Sequence, residues 1–313
     1  MYLKFLLATI LLFYFSTFSF SQGCSDAGVC STGALNPVND NVTKTSVVNK
    51  FAVTYSAYYQ HYKHDFKDYG VGLSFDYYLS ERSTLQAKGL YSIKESVLTT
   101  TQGIGDITLS YSYQFLKNSI WSGNVVVGGK IPTNDANLEL DGRPLPMFYQ
   151  TSLGTYDALI GVAFYTKNWH VSVGYQHPLN ALDNHEYDPF YWRDHPRADW
   201  IANRYESTRH LDRKMDISAR LKYTIKTSKW SIAPSVLGIY KLEKGYVESI
   251  ENGNYLVDGS EGLTINTLIE GSYYFSPHLS ITLLGAYAAQ QRPKNPDALN
   301  RDYVFNLFIK HQF

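Results

Sequence analysis

The 313-residue chain is poor in the features that mark several common protein classes. It has only 2 cysteines and 3 methionines, which excludes a disulfide scaffold and argues against a cysteine-ligated metal site. Lys plus Arg and Asp plus Glu each number 28, so the net positive charge that favours nucleic-acid binding is missing. Beyond the first twenty residues, no apolar run is long enough for a bundle of membrane helices.

Aromatic residues, by contrast, are abundant. They make up 15% of the chain and include 27 tyrosines, a content too high for a disordered protein. Charged residues make up 18%, which is below the roughly 25% usual in soluble domains. The composition predicts a β-rich chain with many tyrosines and few charges.

The first 21 residues have the pattern of a secretory signal peptide. Lys4 precedes an apolar segment that runs to Phe20, and the small residues Ser19 and Ser21 stand at −3 and −1 before Gln22. We therefore expect residues 1–21 to be removed on export. An uncleaved anchor helix and a lipoprotein signal with an acylated Cys24 are the alternatives.

Residues 22–47 contain Gly, Ser, Asn, Asp and Pro with little periodicity. We expect this segment to be a periplasmic leader, or a plug that folds into the structure formed by the residues after it. An exported chain meets an oxidising compartment, so Cys24 and Cys30 form a possible disulfide within it. Their spacing does not match a C-x-x-C redox motif.

From residue 48 onwards, apolar and polar residues alternate with a period of two. In 106–115, for example, Ile107, Leu109 and Tyr111 share one face, while Thr108 and Ser110 share the other. Successive side chains of a strand point to opposite faces, so this pattern indicates an amphipathic strand. The alternation predicts twelve strands, at 49–61, 68–80, 83–94, 104–116, 119–131, 152–166, 168–178, 212–226, 229–242, 261–276, 279–290 and 302–313.

Short and long connections alternate between these strands. The short ones are 80–82, 117–118, 167, 227–228 and 277–278, and the long ones are about 132–151, 179–211, 243–260 and 291–301. Outer-membrane barrels have short periplasmic turns and long external loops. Strands of about eleven to thirteen residues suit a tilted bilayer crossing, whereas strands of soluble proteins mostly have about five or six. The predicted fold at 48–313 is all-β, a transmembrane antiparallel up-and-down β-barrel of about twelve strands, with a soluble β-sandwich as the alternative.

The end of the chain supports this prediction. Phe305, Leu307 and Ile309 alternate with other residues before the terminal Phe313. This ending resembles the C-terminal signature of outer-membrane β-barrels, although His311 departs from the apolar alternation. The resemblance implies that Phe313 is an assembly signal for the barrel assembly machinery.

Three motifs in the middle of the chain resemble a narrower family. They are Gly103-Ile-Gly-Asp-Ile-Thr-Leu109, Val125-Val-Val-Gly-Gly-Lys-Ile-Pro-Thr133 and Leu153-Gly-Thr-Tyr-Asp157. Their order is similar to that in the family of outer-membrane channels named for the MetA pathway of phenol degradation. Asn134 replaces the Gly that usually follows Pro-Thr, and Tyr156 stands where Gly or Ser is usual. The resemblance implies a barrel for uptake of small molecules, including aromatic or apolar ones.

The strand alternation also predicts which charged residues line the lumen, where charge is tolerated better than on the lipid face. Their signs balance, which argues against a strongly ion-selective pore; a salt-bridged plug across the interior is the alternative. The predicted lumen-lining residues are Asp76, Lys88, Asp106, Lys130, Asp157, Asp216, Arg220, Lys222, Glu270 and Lys310.

The long loop at 179–211 is the other candidate site. It contains Tyr191, Trp192, Arg193 and His195, and clustered Tyr, Trp and Arg favour recognition of a ligand or partner. The alternative is an aromatic cap that packs on the barrel rim. No G-x-S-x-G elbow is present, and we predict neither a catalytic residue nor a metal site.

Together these patterns predict a porin-like channel in the outer membrane of a Gram-negative cell, acting by passive uptake of small solutes and needing no cofactor. Its expected partners are outer-membrane lipid and lipopolysaccharide, the barrel assembly machinery and a small-molecule solute, with no nucleic acid. A closed barrel whose external loops bind a ligand or partner, in a structural or adhesive role, is the alternative. A hydrolase site carried by the loops is a third and weaker hypothesis.

Overall fold

The computed structural model describes residues 51–62, 65–298 and 301–313. The predicted signal peptide at 1–21 and the predicted leader at 22–47, with Cys24 and Cys30, lie outside the described residues. Within the described part, no helix has the length and apolar character needed to cross a membrane.

Twelve strands, with β4 and β8 each interrupted once, form the wall of the molecule. They are β1 (Phe51–Tyr62), β2 (Phe66–Tyr78), β3 (Ser83–Glu95), β4 (Thr100–Ile104 and Ile107–Lys117), β5 (Ser122–Ile131), β6 (Asp157–Tyr165), β7 (Trp169–Pro178), β8 (Asp216–Tyr223 and Ile225–Lys226), β9 (Trp230–Lys241), β10 (Gly262–Tyr274), β11 (Leu279–Gln290) and β12 (Arg301–Gln312).

Each strand pairs antiparallel with the next one along the chain, and β12 returns to pair with β1. The register of this closing pair runs from Ala52 opposite Gln312 to Tyr62 opposite Arg301. Closure leaves no free sheet edge, which is the condition for a sheet to cross hydrocarbon. The predicted fold class and the strand count are confirmed.

The two faces of the wall differ in chemistry. Outward side chains are apolar and accessible; Leu73, Ile269 and Leu283 are 52%, 58% and 62% exposed. Inward side chains are largely polar and buried, as Ser218 and Thr282 illustrate. A barrel that hides polar groups and displays apolar ones is built for a lipid surround.

Aromatic side chains gather at the end of the wall that carries the short turns. Trp121 precedes β5, while Trp169 and Trp230 begin β7 and β9. All three are more than two-fifths exposed, and Trp169 lies 4.7 Å from Tyr223 between ring centroids. This placement is typical of an interfacial girdle.

Three predicted strand boundaries were wrong by four or five residues, all at the long-loop end. β4 begins at Thr100 rather than 104, because Thr100–Ile104 pairs with the end of β3. β6 begins at Asp157 rather than 152, because Leu153 donates its backbone N–H to the Asp106 carboxylate instead of to a backbone carbonyl of a neighbouring strand. β8 begins at Asp216 rather than 212, because Asp212 forms an isolated bridge with Tyr246 in another loop.

We call the four long loops, 132–156, 179–215, 242–261 and 291–298, the cap. They contain two short hairpins, Glu139–Leu140 with Arg143–Pro144 and Tyr246–Ser249 with Gly253–Leu256. They also contain one short α-helix, α1 (Ala198–Ala202), and two 3-10 helices, Met147–Tyr149 and Pro189–Trp192. Two buried apolar clusters hold the cap together. The first consists of Tyr62, Phe66, Leu145, Tyr149, Tyr187, Trp192, Ile201 and Tyr205. The second joins all four loops through Ala136, Met147, Leu182, Leu211, Val247, Val257 and Ala298.

The lumen and the cap as the candidate functional site

The charged residues predicted to line the lumen lie on the polar face of the wall. Seven are buried, namely Asp76, Asp106, Lys130, Asp157, Arg220, Lys222 and Glu270. The other three, Lys88, Asp216 and Lys310, are half-buried. Nine of them lie in strands, where alternate positions face the interior, and Asp106 lies at the interruption of β4.

The cap meets the wall at a buried network centred on Lys130. Its side chain is 0% exposed, and its Nζ lies 2.8 Å from Asp157 and 3.1 Å from Asp106. Arg213, which comes from the 179–215 loop, adds a contact of 3.6 Å to Asp157 and donates to Thr155 Oγ1 at 2.8 Å. A cap residue is therefore inserted into the mouth of the barrel.

A second network lies between the outer ends of β8 and β9 and the 291–298 loop. Lys241 lies 3.3 Å from Asp297 and 3.7 Å from Asp216, and Arg292 lies 3.6 Å from Asp297. Burial alone would raise the pKa of the Asp297 carboxyl, but Lys241, Arg292 and Arg213 hold that pKa below its ordinary value. Asp297 is therefore a carboxylate fixed among cations.

A third network ties together the outer ends of β12, β1, β2 and β3. Asp68 lies 3.0 Å from Lys94 and accepts a hydrogen bond of 3.0 Å from Tyr58. Arg301 donates from Nε to Tyr62 Oη at 3.1 Å. The mouth is thus lined by ion pairs at several positions around the barrel.

Deeper in the lumen, charges form two further groups. Glu270 accepts from Arg220 and from Lys222, the latter at 2.6 Å, and Ser235 accepts from Arg220 at 2.9 Å. Closer to the short turns, Asp76 lies 3.3 Å from Lys310. Two cations therefore share one carboxylate in the middle of the lumen.

More charged residues line the lumen and its mouth than the sequence predicted. The ten predicted residues contain equal numbers of each sign, but the structure adds others that the strand pattern did not single out. These are the cations Lys94, Arg213, Lys241, Arg292 and Arg301 and the acids Asp68 and Asp297. The buried charged residues of the described part number seven cations and seven acids, and a local excess of cations occurs where Arg220 and Lys222 share Glu270.

The lumen also has an apolar side. Val126 of β5, Leu159 and Ala163 of β6, and Leu237 and Ile239 of β9 form one buried cluster. All five point inward, so β5 and β6 make side-chain contact with β9 across part of the interior. Half-buried inward polar groups lie on the other wall, at Thr54, Ser56, Ser74, Gln86 and Asn306.

The four predicted loop-binding residues do not form one surface. Trp192 is 1% exposed, and its Nε1 donates to the Pro144 carbonyl at 2.7 Å, so it belongs to the cap interior. Tyr191 is 40% exposed, and Arg193 lies over the ring of Phe190 at 4.0 Å. His195 packs edge-on against Trp192. For Trp192, the expectation of an exposed binding residue was therefore wrong.

Two clefts lie side by side on the outside of the cap, with volumes of about 230 and 380 Å³. Both are lined by Asp135, Asp183 and Asn184. No group of three or more His, Cys, Asp or Glu among the described residues is arranged to hold a metal ion.

Comparison with known proteins supports the fold. No family model matches the sequence, and no curated protein is detectably similar to it. The solved structure of the COG4313 outer membrane channel from Pseudomonas putida F1 aligns with a TM-score of 0.60 at 14% identity, over 88% of this chain and 100% of that one. That channel represents the phenol-degradation family whose motifs this chain resembles, so the fold implied by the resemblance is confirmed.

Two other solved barrels are more distant. The NanC porin aligns with a TM-score of 0.48 at 9% identity, over 83% of this chain and 100% of that one. Outer membrane phospholipase A from Escherichia coli aligns with a TM-score of 0.38 at 11% identity, over 83% of this chain and 92% of that one.

Proposed function

We propose that this chain is a passive outer-membrane channel for small organic solutes, without enzymatic activity, and that it favours anions. One observation carries the proposal. A closed barrel with a lipid-compatible outer face encloses a lumen in which two cations, Arg220 and Lys222, share the one carboxylate of Glu270. Charges along a narrow, low-dielectric passage select ions by sign.

The resemblance to the phenol-degradation family narrows the solute to small molecules that include aromatic or apolar ones. Tyr165 and Leu268, which pack against the apolar cluster of the lumen, suit the uncharged part of such a molecule. The cationic groups at Arg220 and Lys222 suit a carboxylate or phenolate. An aromatic carboxylate combines both parts, so we propose this class of solute.

The proposal includes the cellular setting. The exposed apolar belt and the tryptophans at its edge suit contact with outer-membrane lipid and lipopolysaccharide. Phe313 stacks on Phe51 at 4.7 Å between ring centroids, and its backbone N–H donates to the Phe51 carbonyl at 2.9 Å. The C-terminal residue thus lies where the last strand meets the first, a suitable place for an assembly signal.

The test is conductance of the refolded mature chain, starting at Gln22, in a planar bilayer. A second protein starting at Thr45 shows whether the segment before β1 acts as a plug. Stable conductance, with a reversal potential in a salt gradient that lies towards the equilibrium potential of the anion, supports the proposal. Conductance that appears only in the shorter protein supports a plugged channel.

Silence from both proteins, together with heat-modifiable mobility that proves folding, would overturn the channel proposal. The clefts on the cap would then be the place to seek ligand binding. A reversal potential on the cation side would leave a channel but refute anion preference.

A further inference from the structure

One histidine of the cap lies between two carboxylates that belong to different loops. The Nε2 of His210 is 2.8 Å from Glu186 Oε1, and its Nδ1 is 2.7 Å from Glu248 Oε2. Glu186 shares the 179–215 loop with His210, whereas Glu248 belongs to the hairpin Tyr246–Ser249 with Gly253–Leu256. The imidazole is therefore a link between two parts of the cap.

The arrangement requires a protonated ring. A neutral imidazole has one N–H donor and one acceptor nitrogen, whereas an imidazolium has two donors. Each carboxylate can only accept, so a neutral His210 would turn a lone pair towards Glu186 or Glu248. Partial burial would lower the pKa of His210, but its hydrogen bonds to Glu248 and Glu186 raise that pKa overall.

Two further titratable groups, Arg209 and His185, lie close to the His210 imidazole. On its own loop, Arg209 donates from Nε to Glu186 Oε2 at 2.6 Å, and its Nη1 lies 3.6 Å from Glu248. His185 is also near, and its carbonyl accepts the His210 backbone N–H at 2.8 Å. Burial lowers the pKa of the His185 imidazole to about 4, so that ring is neutral and does not compete for the carboxylates near neutral pH.

The backbone at His210 is strained in a way that the two ion pairs help to offset. Its φ of 49° lies in the left-handed region, which is uncommon for residues other than glycine. The loss of one of its carboxylate contacts would therefore favour relaxation of this turn.

The same segment continues into the mouth of the barrel. Glu248 donates its backbone N–H to the Arg209 carbonyl at 3.0 Å, and Asp212 exchanges backbone hydrogen bonds with Tyr246. Arg213, three residues after His210, is buried beside Asp157. A change in the 209–212 segment would therefore move the cation that occupies the mouth.

We propose that His210 is a pH-dependent lock on the cap, in which the imidazolium joins the 179–215 loop to the 246–256 hairpin and keeps Arg213 in the barrel mouth. Loss of the proton loosens the cap and raises conductance. The inference rests on the proposed channel function for its effect on transport, but not for its effect on the cap.

The direction of the pH effect follows from linkage. Because the pKa of His210 is higher in the locked cap than in an open one, the lock is complete below the ordinary histidine pKa of about 6.5. It is lost as the pH rises through the higher pKa of the locked state. Each pKa unit of difference corresponds to about a tenfold change in the opening equilibrium.

The test compares wild type with His210→Gln at about pH 6 and about pH 9, on either side of the expected titration. Gln cannot become a cation, so the variant lacks the lock at both pH values. Its conductance at the lower pH should therefore equal the conductance that wild type reaches only at the higher pH. His278→Gln, in the short turn at the opposite end, is the matched control and should keep the wild-type profile. A pH profile of His210→Gln identical to that of wild type would overturn the lock.

A readout independent of transport is the rate at which trypsin cleaves the cap. The ratio of cleavage rates between His210→Gln and wild type at each pH removes the protease's own pH dependence. A ratio well above one at the lower pH that falls to one at the higher pH supports the lock, even if the barrel proves silent in bilayers. A ratio of one at both pH values refutes the lock and leaves the channel proposal intact.

Discussion

Replacing Lys130 with Met removes the cation that two buried aspartates share. The side chain of Lys130 is 0% exposed and lies 2.8 Å from Asp157 and 3.1 Å from Asp106. Met fills nearly the same space, so the main effect is on charge rather than on packing. Removing one partner of a buried ion pair costs about 3–5 kcal/mol, because the remaining charge is left without compensation.

The surroundings place the expected loss near the lower end of that range. Arg213 remains 3.6 Å from Asp157, and Asp106 still accepts hydrogen bonds from Ser152 and from the backbone N–H of Leu153. We therefore expect the free energy of unfolding to fall by about 3 kcal/mol.

Urea unfolding in detergent micelles, followed by tryptophan fluorescence, measures this loss. Lys67→Met is the matched control, because Lys67 pairs with Glu95 at 3.5 Å while both side chains are 43% exposed. Such a surface pair is worth at most about 1 kcal/mol. Adding Asp157→Asn to Lys130→Met should recover part of the lost stability. If Lys130→Met costs no more than Lys67→Met, the buried network does not stabilise the barrel as argued.

Three further predictions concern other parts of the molecule. Glu270→Gln leaves the cations Arg220 and Lys222 with a neutral partner, so the reversal potential in a salt gradient should shift further towards the equilibrium potential of the anion. An unchanged reversal potential would contradict the proposed role of these two cations. His185 stays neutral in the folded protein down to about pH 4 but is protonated in the unfolded chain from about 6.5, so stability should fall by about 3 kcal/mol across that window as the pH drops. His185→Gln should flatten that part of the stability curve, and an equally steep acid limb in the variant would exclude this cause. Gly70→Ala should impair folding, because a Cβ there would lie 2.0 Å from the Tyr91 carbonyl oxygen. Gly271→Ala is the control and should fold normally, because the space around Gly271 is open. Equal yields of the two variants on refolding would refute the steric argument.

The wall of the barrel could be predicted from the sequence because lipid imposes a strict rule. Most outward positions that cross hydrocarbon are apolar, so residues such as Leu73 and Ile269 indicate a strand and show which of its faces points outward. Where the chain leaves the lipid the rule ends. Residues before Asp157 and Asp216 keep some alternation, yet Leu153 bonds to Asp106 in the wall and Asp212 bonds to Tyr246 in another loop instead of extending the ladder.

The cap could not be predicted in the same way, because its order depends on contacts between distant loops. Trp192 has the composition signal of a binding residue, but the Pro144 carbonyl, 48 positions away, holds its indole inside the cap. Arg213 has no sequence feature that separates it from other loop arginines. Only the folded loops show that it reaches Asp157 and shifts the charge of the mouth.

Because of the apolar clusters of the cap, the cap and the wall differ in the heat capacity of their unfolding. The outer face of the wall stays in contact with lipid or detergent, whereas Leu145, Tyr187 and Val247 are withdrawn from water itself. Exposing such groups to water carries a large positive heat capacity, as in a soluble domain. Unfolding of the cap should therefore contribute a heat-capacity change like that of a soluble domain, which the lipid-facing side of the wall does not contribute.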